Sequence, residues 1–325
     1  MKILVVSKNL ADRLRERLSD DIEIIKPITG TDDELAELAR DVEVIVSTRL
    51  SPSVAEAASN LRLLQKTGAG VDDMPFEALK QDTWIANTSG SNPLPLAEGA
   101  VALVLSLAKR VVQRNNSFRS GPDGIPGVLL SGKTAGIIGL GSIGREVAKR
   151  LMSFDMKIMG LKRHPDPELK KSMRLDFLGT PHDLKNLLSK SDFVIVTVPL
   201  TPETRGMIGE EEIAAMKSSS FIVNVARAAI IQEEPLYRAL KEARIAGAAL
   251  DVWWRPHWWD PLWNPAGESP SSYPFWELPN VISTPHNIVS TDYRSDVSLD
   301  IIIENIIRVK NGEAPINLVD KELQY

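Results

Sequence analysis

The chain has 325 residues, of which 43% are hydrophobic, and it carries a formal net charge of −5 at pH 7. This length allows one large or two ordinary domains, and the apolar share is large enough for a packed core, which excludes wholesale disorder. The net negative charge argues against a nucleic-acid partner held by a basic surface. Because the chain contains no cysteine, disulfides, cysteine-ligated zinc and a thiol nucleophile are excluded, and we predict no metal site.

The N-terminal segment Met1–Ser7 predicts a strand rather than a signal peptide. The longest apolar run, Ala100–Ala108, is only about half as long as a membrane-spanning helix. We therefore expect a cytoplasmic protein without a membrane partner.

Strand-like and helix-like segments alternate through the first 97 residues. The predicted strands are Lys2–Val6, Ile22–Ile25, Val42–Val46, Leu61–Lys66 and Trp84–Asn87. The predicted helices are Ala11–Leu18, Asp32–Arg40, Ser53–Ala58 and Pro75–Lys80. This alternation predicts a parallel sheet with helices on both of its faces.

A long helix is predicted from Leu96 to Gln113, and the glycine- and proline-rich residues 120–127 then interrupt regular structure. A second series of strands and helices begins at Thr134 and predicts a doubly wound sheet. Its predicted strands are Ala135–Gly139, Lys157–Leu161, Phe193–Val198, Phe221–Val225, Ala246–Leu250 and Val281–Ser283. Its predicted helices are Ile143–Ser153, Pro181–Ser189, Glu210–Met216 and Glu234–Ala243.

Residues 253–276 contain six of the seven tryptophans of the chain together with several prolines. The proline density excludes a helix or a central strand, and the tryptophans favour an ordered, packed loop. After this tryptophan-rich loop, Asp292–Lys310 has the apolar spacing of an amphipathic helix.

The sequence Gly139-Leu-Gly-Ser-Ile-Gly144 lies between the predicted strand Ala135–Gly139 and a helix. In this context Gly139 allows a sharp turn, Gly141 lets the backbone approach a pyrophosphate, and Gly144 allows the helix to pack on the strand. The N–H groups at the start of the helix then face the phosphates. The segment predicts a dinucleotide site, whereas a glycine pattern without this context would be weak support.

Three further features lie where strands are predicted to end, the edge at which α/β sheets bind ligands. Arg227 presents a planar guanidinium that fits a carboxylate, although pairing with Glu233 or Glu234 would also explain it. Histidine titrates near neutral pH as a residue type, so a histidine at position 286 is able to exchange a proton, although a histidine bonded to its own loop shows the same pattern. The turn Gly68-Ala-Gly-Val-Asp72 exposes N–H groups that suit an anion, with a plain turn as the alternative.

Taken together, these motifs resemble the D-2-hydroxyacid dehydrogenase family over nearly the whole chain. The matching motifs are Gly68-Ala-Gly-Val-Asp72, Leu96-Ala-Glu-Gly-Ala100, Gly139-Leu-Gly-Ser-Ile-Gly144, Val198-Pro-Leu-Thr-Pro-Glu-Thr204, Asn224-Val-Ala-Arg227, Ala248-Ala-Leu-Asp251-Val and Pro285-His286. The resemblance implies two doubly wound α/β domains. One is a flavodoxin-like catalytic domain of residues 1–97 with 290–325, and the other is a Rossmann cofactor domain of residues 98–289. It also implies a homodimer.

The resemblance further implies an oxidoreductase that transfers a hydride between a nicotinamide cofactor and a 2-keto acid or D-2-hydroxy acid. Arg227 would bind the substrate carboxylate and polarise the carbonyl, and His286 would give the oxygen its proton. The same carboxylate would be held by the backbone N–H groups near Ala69, Gly70 and Val71. The implied cofactor contacts are Gly139, Gly141, Ser142, Ile143, Gly144, Val198, Pro199, Thr204, Val225, Ala226 and Asp251.

Basic residues at the end of the second predicted strand of the cofactor domain indicate which dinucleotide is preferred. In this fold an acidic residue there binds the ribose 2′-OH, whereas basic residues accept a 2′-phosphate. Lys157–Leu161 is followed by Lys162, Arg163 and His164, and Asp155 lies at the opposite end of the strand. We therefore predict NADP(H) in preference to NAD(H), with Arg163 as the main 2′-phosphate contact.

Two departures from the family pattern qualify the resemblance. Ala228 follows the arginine where the family usually has glycine, and Trp254-Arg-Pro-His257 replaces the segment where a glutamate usually supports the histidine. Formate dehydrogenases of the family also lack that glutamate, which makes a formate-dehydrogenase-like enzyme the first alternative. A non-catalytic dinucleotide-sensing protein is the second, although retention of both Arg227 and His286 favours an enzyme.

The missing glutamate leads to an expectation about pH. Without it, and with Arg255 nearby, the imidazolium of His286 is less stabilised, so keto-acid reduction should decline above about pH 6 to 7. Glu268 or Glu277 would restore the support only if the loop carried one of them to the histidine. We also expect the tryptophan-rich loop to form an apolar wall near the substrate or at a dimer contact, favouring keto acids larger than glyoxylate.

Overall fold

The structure, a computed structural model, describes residues 1–91, 93–122, 124–255, 266–292 and 296–325. It divides into two compact units, Met1–Asn92 with Arg294–Tyr325 and Pro93–Tyr293. The divisions predicted from the sequence lie at 97/98 and 289/290. The helix that begins at Pro93 falls wholly in the second unit, where it packs against Ser142–Met152.

The first unit is built on a five-stranded parallel sheet. Its strands are β1 (Lys2–Val5), β2 (Glu23–Ile25), β3 (Val44–Ser47), β4 (Leu63–Lys66) and β5 (Trp84–Ala86). Its helices are α1 (Lys8–Arg15), α2 (Asp32–Ala39), α3 (Pro52–Ala57) and the C-terminal helix (Val297–Lys310). The strand order β2-β1-β3-β4-β5 is the flavodoxin-like order, which confirms the predicted fold class of this unit.

Alternating side chains of the central strands supply a core on each face of this sheet. Leu4 and its neighbours on one face pack with α2 and α3. Ile3 and Val5 on the other face pack with α1 and with Leu299, Ile302 and Ile306 of the C-terminal helix. Strand β1 and the C-terminal helix therefore contribute to the same hydrophobic core on this face of the sheet.

The helix predicted at Pro75–Lys80 is wrong, because only a single 3₁₀ turn, Phe76–Ala78, forms there. Leu79 is already extended, with ψ 144°, and ends the turn.

Buried amide side chains link the C-terminal helix to β4. Asn305 is fully buried and donates to Gln65 Oε1 at 2.7 Å and to the carbonyl of Ile316 at 3.1 Å, while its own Oδ1 accepts from the N–H of Ile316 at 2.7 Å. The side-chain nitrogen Nε2 of Gln65 then donates to the carbonyl of Lys66 at 2.9 Å. This network fixes the end of β4, from which the turn at residues 67–73 begins.

The second unit is built on a parallel sheet that has seven strands among the described residues. They are β6 (Thr134–Ile138), β7 (Lys157–Leu161), β8 (Phe177–Gly179), β9 (Phe193–Val196), β10 (Phe221–Asn224), β11 (Gly247–Leu250) and β12 (Val281–Ser283). The order β12-β11-β10-β9-β6-β7-β8 is the Rossmann order extended by one strand, which confirms the predicted class. Strand β8 escaped prediction because its three residues are too few to show a pattern.

Seven α-helices belong to the described part of this unit. They are α4 (Pro93–Lys109), α5 (Val111–Asn116), α6 (Ser142–Met152), α7 (Pro167–Ser172), α8 (Leu184–Lys190), α9 (Glu210–Ala214) and α10 (Glu233–Lys241). The single helix predicted from Leu96 to Gln113 is wrong, because Arg110 adopts a left-handed conformation with φ 55° and separates α4 from α5. Helix α7 was not predicted, although Asp166 caps it by accepting from the N–H of Glu168 at 2.9 Å.

The position of β6 determines where this unit is able to bind a ligand. Strand β6 pairs with β7 on one side and with β9 on the other, and the chain runs outward from it in both directions. Such a switch in direction leaves a crevice beyond the carboxyl ends of the central strands. Among the described helices, none is both long and apolar enough to cross a bilayer.

The buried amide network predicts a specific loss of stability. Asn305→Ala removes the partners of Gln65 and Ile316 inside a closed core, so we expect it to lower the free energy of unfolding by about 2 kcal/mol or more. Asn311→Ala, at the exposed end of the same helix, should change it by less than about 0.5 kcal/mol. Urea unfolding of both variants measures the difference, and equal effects would contradict the assigned role of Asn305.

Candidate functional site

The glycine turn after β6 has the geometry that a dinucleotide requires. Gly139 has φ 104°, and a Cβ there would lie 2.8 Å from Val198 Cγ1 and 2.9 Å from the carbonyl carbon of Thr197. A Cβ on Gly144 would collide with the carbonyl oxygen of Gly139, so only glycine lets α6 pack this closely. A Cβ on Gly141 would meet nothing within 4 Å. The open side of the turn at Gly141, next to the first N–H groups of α6, therefore fits a pyrophosphate.

Ser142 and Ile143 are the first two residues of α6, directly beside Gly141. Lys162, Arg163 and His164 follow the end of β7. The N–H of Lys162 donates to the carbonyl of Gly179 at 3.0 Å, which holds this segment against β8.

Arg163 forms an ion pair with Glu203, a residue that the sequence analysis did not single out. Glu203 belongs to the turn at residues 201–204, which follows β9. In this turn the N–H of Thr201 donates to Thr204 Oγ1 at 2.8 Å, and the Thr204 hydroxyl donates to the carbonyl of Pro199 at 2.7 Å. The hydroxyl predicted to contact the cofactor thus closes the turn that carries Glu203.

The loop after β10 holds Arg227 through a buried asparagine. Asn224 Oδ1 accepts from the N–H of Ala226 at 3.0 Å, and Asn224 Nδ2 donates to the carbonyl of Arg227 at 3.0 Å. The half-buried Arg227 side chain donates from Nη1 to the carbonyl of Ala226 at 2.9 Å. Val225, at the start of this loop, is buried. The backbone at Arg227 is therefore held on both sides by one side chain.

The loop after β12 holds His286 through the buried carboxylate of Asp251. Asp251 Oδ1 accepts from the hydroxyl of Thr284 at 2.6 Å and from the N–H groups of Asn287 at 3.2 Å and Ile288 at 3.3 Å. His286 adopts a left-handed conformation with φ 56°, which a non-glycine residue seldom does. The carboxylate of Asp251, a predicted cofactor contact, therefore holds the histidine loop in this conformation.

The beginning of the tryptophan-rich loop is packed inside the second unit. Trp253 is 7% exposed and donates to the carbonyl of Thr284 at 2.9 Å, while Trp254 donates to the carbonyl of Ile231 at 3.0 Å and stacks on Phe275. Trp276 is 45% exposed. The predicted apolar wall thus depends on Trp276 and on three tryptophans outside the described residues, Trp258, Trp259 and Trp263.

Arg255 closes the base of the same loop. Its Nε lies 3.1 Å from Glu268 Oε2, its Nη1 donates to the carbonyl of Ser269 at 3.0 Å, and its N–H donates to the carbonyl of Pro270 at 2.9 Å. The guanidinium is thus paired with a carboxylate of its own loop. The effect of Arg255 on His286 stays a prediction.

In the first unit, residues 67–73 form the turn that follows β4. Its carbonyls are tied back: Thr67 accepts from the Thr88 hydroxyl at 2.9 Å, Gly68 from the N–H of Thr88 at 3.1 Å, and Ala69 from Asn87 Nδ2 at 2.9 Å. Within the part of the chain that the structure describes, the N–H groups of Ala69, Gly70 and Val71 donate to no acceptor. These three N–H groups, a candidate anion-binding nest, are donors of the kind that suits a negative charge.

Lys66 supports this turn and was missed in the sequence analysis. Its side chain is 5% exposed and donates to the carbonyl of Thr48 and to Asp73. The pair joins the two ends of residues 67–72. The available signal was a lysine at the end of the buried strand Leu63–Lys66, where a charge requires a partner.

Comparison with known proteins identifies the family. Residues 101–287 match the model described as D-isomer specific 2-hydroxyacid dehydrogenase, NAD binding domain. A glyoxylate reductase of Thermococcus kodakarensis is 34% identical over 89% of this chain and 86% of its own length. The chain belongs to the D-2-hydroxyacid dehydrogenase family.

Other members of the D-2-hydroxyacid dehydrogenase family extend the comparison. A D-3-phosphoglycerate dehydrogenase of Methanocaldococcus jannaschii is 34% identical over 98% of this chain, which spans only 59% of that relative's length. The structure of a 2-hydroxyacid dehydrogenase from Ketogulonicigenium vulgare is 26% identical, with a TM-score of 0.77 over 100% of this chain and 99% of its own. Within the described residues of this family member, no cluster of metal-ligating side chains occurs.

The hydrogen bond from Thr284 to Asp251 predicts how the histidine loop responds to substitution. Thr284→Val removes a donor to a buried carboxylate, so we expect the free energy of unfolding to fall by about 1.5–3 kcal/mol. Thr284→Ser keeps the hydroxyl and should retain most of it. Urea unfolding compares the two variants, and a serine variant as unstable as the valine variant would show that the methyl group, not the hydroxyl, matters.

Proposed function

We propose that this protein reduces a 2-keto acid to the D-2-hydroxy acid with NADP(H) as the preferred cofactor. The observation that carries the proposal is that Arg227 and His286 lie in loops fixed by Asn224 and Asp251 beyond the carboxyl ends of the dinucleotide-binding sheet. A protein that only bound the dinucleotide would not need two such loops. The open glycine turn at Gly141 fits the cofactor pyrophosphate.

The chemistry assigned to these residues follows from their charges. The bound nicotinamide dinucleotide supplies the hydride. Arg227 binds the substrate carboxylate with its planar guanidinium and draws electron density from the adjacent carbonyl. His286, as an imidazolium, donates a proton to the carbonyl oxygen, and in the reverse reaction it removes the proton from the hydroxyl.

The anion-binding nest of the first unit is assigned to the carboxylate of the same class of substrate. Among the described residues its N–H groups donate to no acceptor, and Asn87 and Thr88 hold the carbonyls of the turn. Backbone donors of this kind select a negative charge without selecting the side chain of the acid. The nest therefore supports the substrate class, and the curated glyoxylate reductases among the relatives support a 2-keto acid substrate.

The two alternative functions are tested in the same activity assay. Asp251-Val-Trp253 matches the family's formate dehydrogenases, so formate oxidation belongs in the substrate panel beside glyoxylate, hydroxypyruvate, pyruvate and bulkier keto acids. A pure dinucleotide sensor would bind cofactor and turn over none of them. Homodimerisation and a cytoplasmic location are part of the proposal.

The histidine assignment is tested by replacing His286 with asparagine, a residue that tolerates the left-handed backbone at this position. His286→Asn should lower kcat/KM for keto-acid reduction by about 10²-fold or more because the proton donor is lost. Binding of NADPH, measured by its fluorescence, should stay within about twofold. His182→Asn, on an exposed 3₁₀ turn of the same unit, is the matched control and should retain activity.

Two results would contradict this assignment. One is a His286→Asn variant that remains active, and the other is a pH profile that does not depend on His286. In the wild type the reduction rate should fall above about pH 6 to 7. Glu268→Gln should leave the profile unchanged, because the carboxylate of Glu268 pairs with Arg255.

The cofactor preference is tested at Arg163. A charge-assisted bond to the 2′-phosphate contributes about 1.5–3 kcal/mol, so Arg163→Ala should weaken NADPH binding roughly tenfold to a hundredfold and NADH binding much less. Arg205→Ala, an exposed arginine in the loop after β9, is the control. An equal loss for both cofactors in the Arg163 variant would show that Arg163 does not read the 2′ position.

A further inference from the structure

We propose that Glu203 limits the preference for NADP(H) over NAD(H) that Arg163 gives this protein, a statement that rests on the proposed dinucleotide function. In this fold the discriminating acid stands at the tip of the strand that follows the glycine turn. Here that tip, after Leu161, carries only Lys162, Arg163 and His164. The carboxylate comes instead from the loop after β9 and pairs with Arg163.

Sheet order explains why a residue forty positions away reaches Arg163. Strands β7 and β9 lie on either side of β6. Arg163 follows β7, Glu203 follows β9, and the ion pair joins the two sides of the crevice into which the glycine turn after β6 opens. The adenosine ribose of a dinucleotide held at this turn lies at the tip of β7. Glu203 therefore faces the 2′ position from the opposite side of the crevice.

The position of Glu203 is fixed by its turn rather than by the ion pair alone. Thr201 is 5% exposed, and Thr201 and Thr204 close the turn through mutual hydrogen bonds. The N–H of Arg205 also donates to the carbonyl of Thr201, at 3.0 Å. A carboxylate on a turn closed in this way remains near Arg163 even when a ligand binds the guanidinium of Arg163.

The negative charge of Glu203 affects the binding of the two cofactors differently. The 2′-phosphate of NADP(H) carries a charge of about −1.5 to −2, so it competes with Glu203 for Arg163 and is repelled by the carboxylate. The ribose 2′-OH of NAD(H) is a neutral donor that a carboxylate accepts. Arg163 thus favours NADP(H), and Glu203 limits that preference.

The ion pair between Arg163 and Glu203 is partly exposed to solvent, so a bound cofactor is able to displace it. The side chain of Arg163 is 27% exposed and that of Glu203 is 64% exposed, so their interaction is weak enough for a ligand to displace. A buried pair would instead hold Arg163 permanently and exclude the phosphate.

The test measures dissociation constants of NADPH and NADH by fluorescence titration, without turnover. Glu203→Gln keeps the size of the side chain and removes its charge, so NADPH should bind about threefold to tenfold more tightly. NADH should bind with the same or lower affinity. Glu211→Gln, which removes the carboxylate of an exposed pair with Lys185, is the matched control and should change neither constant.

A double variant separates competition from direct repulsion. In the Arg163→Ala background there is no guanidinium to compete for, so Glu203→Gln should improve NADPH binding by a smaller factor than in the wild type. Unchanged cofactor selectivity in Glu203→Gln, or an equal change for both cofactors, would overturn the assignment of Glu203. Failure of the wild type to bind either dinucleotide would instead overturn the proposed function, and the assignment with it.

Discussion

The buried carboxylate of Asp251 is the interaction on which the proposed catalytic residues depend. An isolated carboxylate in a protein interior is costly, and this one is compensated by the hydroxyl of Thr284 and by the N–H groups of Asn287 and Ile288. These donors lie on both sides of His286. The need to satisfy one buried charge therefore determines the path of the histidine loop, including its left-handed residue.

The same set of bonds continues to the arginine. The N–H of Asp251 donates to the carbonyl of Asn224 at 3.1 Å, and the side chain of Asn224 bonds to Ala226 and Arg227. Strands β10 and β11 pair in register up to Asn224 and Leu250, so this link continues their ladder. The backbones of the arginine loop and the histidine loop are thus joined by hydrogen bonds that involve only protein groups, which favours a fixed arrangement of the two loops.

Structural features that local chemistry determines were predictable from the sequence. Features that depend on residues distant in the chain but close in space were not. The glycine turn was predictable because the steric demands at Gly139 and Gly144 lie within a few residues of each other. Arg110, which divides the predicted helix, is an ordinary helix former, so no local signal marks the break. The partners of Arg255 and Lys66 were equally invisible, since Glu268 and Asp73 reach them only once their loops are folded.

Glu203 shows how a missing residue is recovered from topology. An acid at the tip of β7 would recognise the ribose from one side only. A strand at the switch point has two neighbours, however, and the tips of β7 and β9 both border the crevice above β6. An acid on either tip is able to contact the same ribose. An acid on the β9 side leaves the tip of β7 available for a basic residue. Opposite charges are therefore able to act on one ribose, an arrangement that a single tip does not allow.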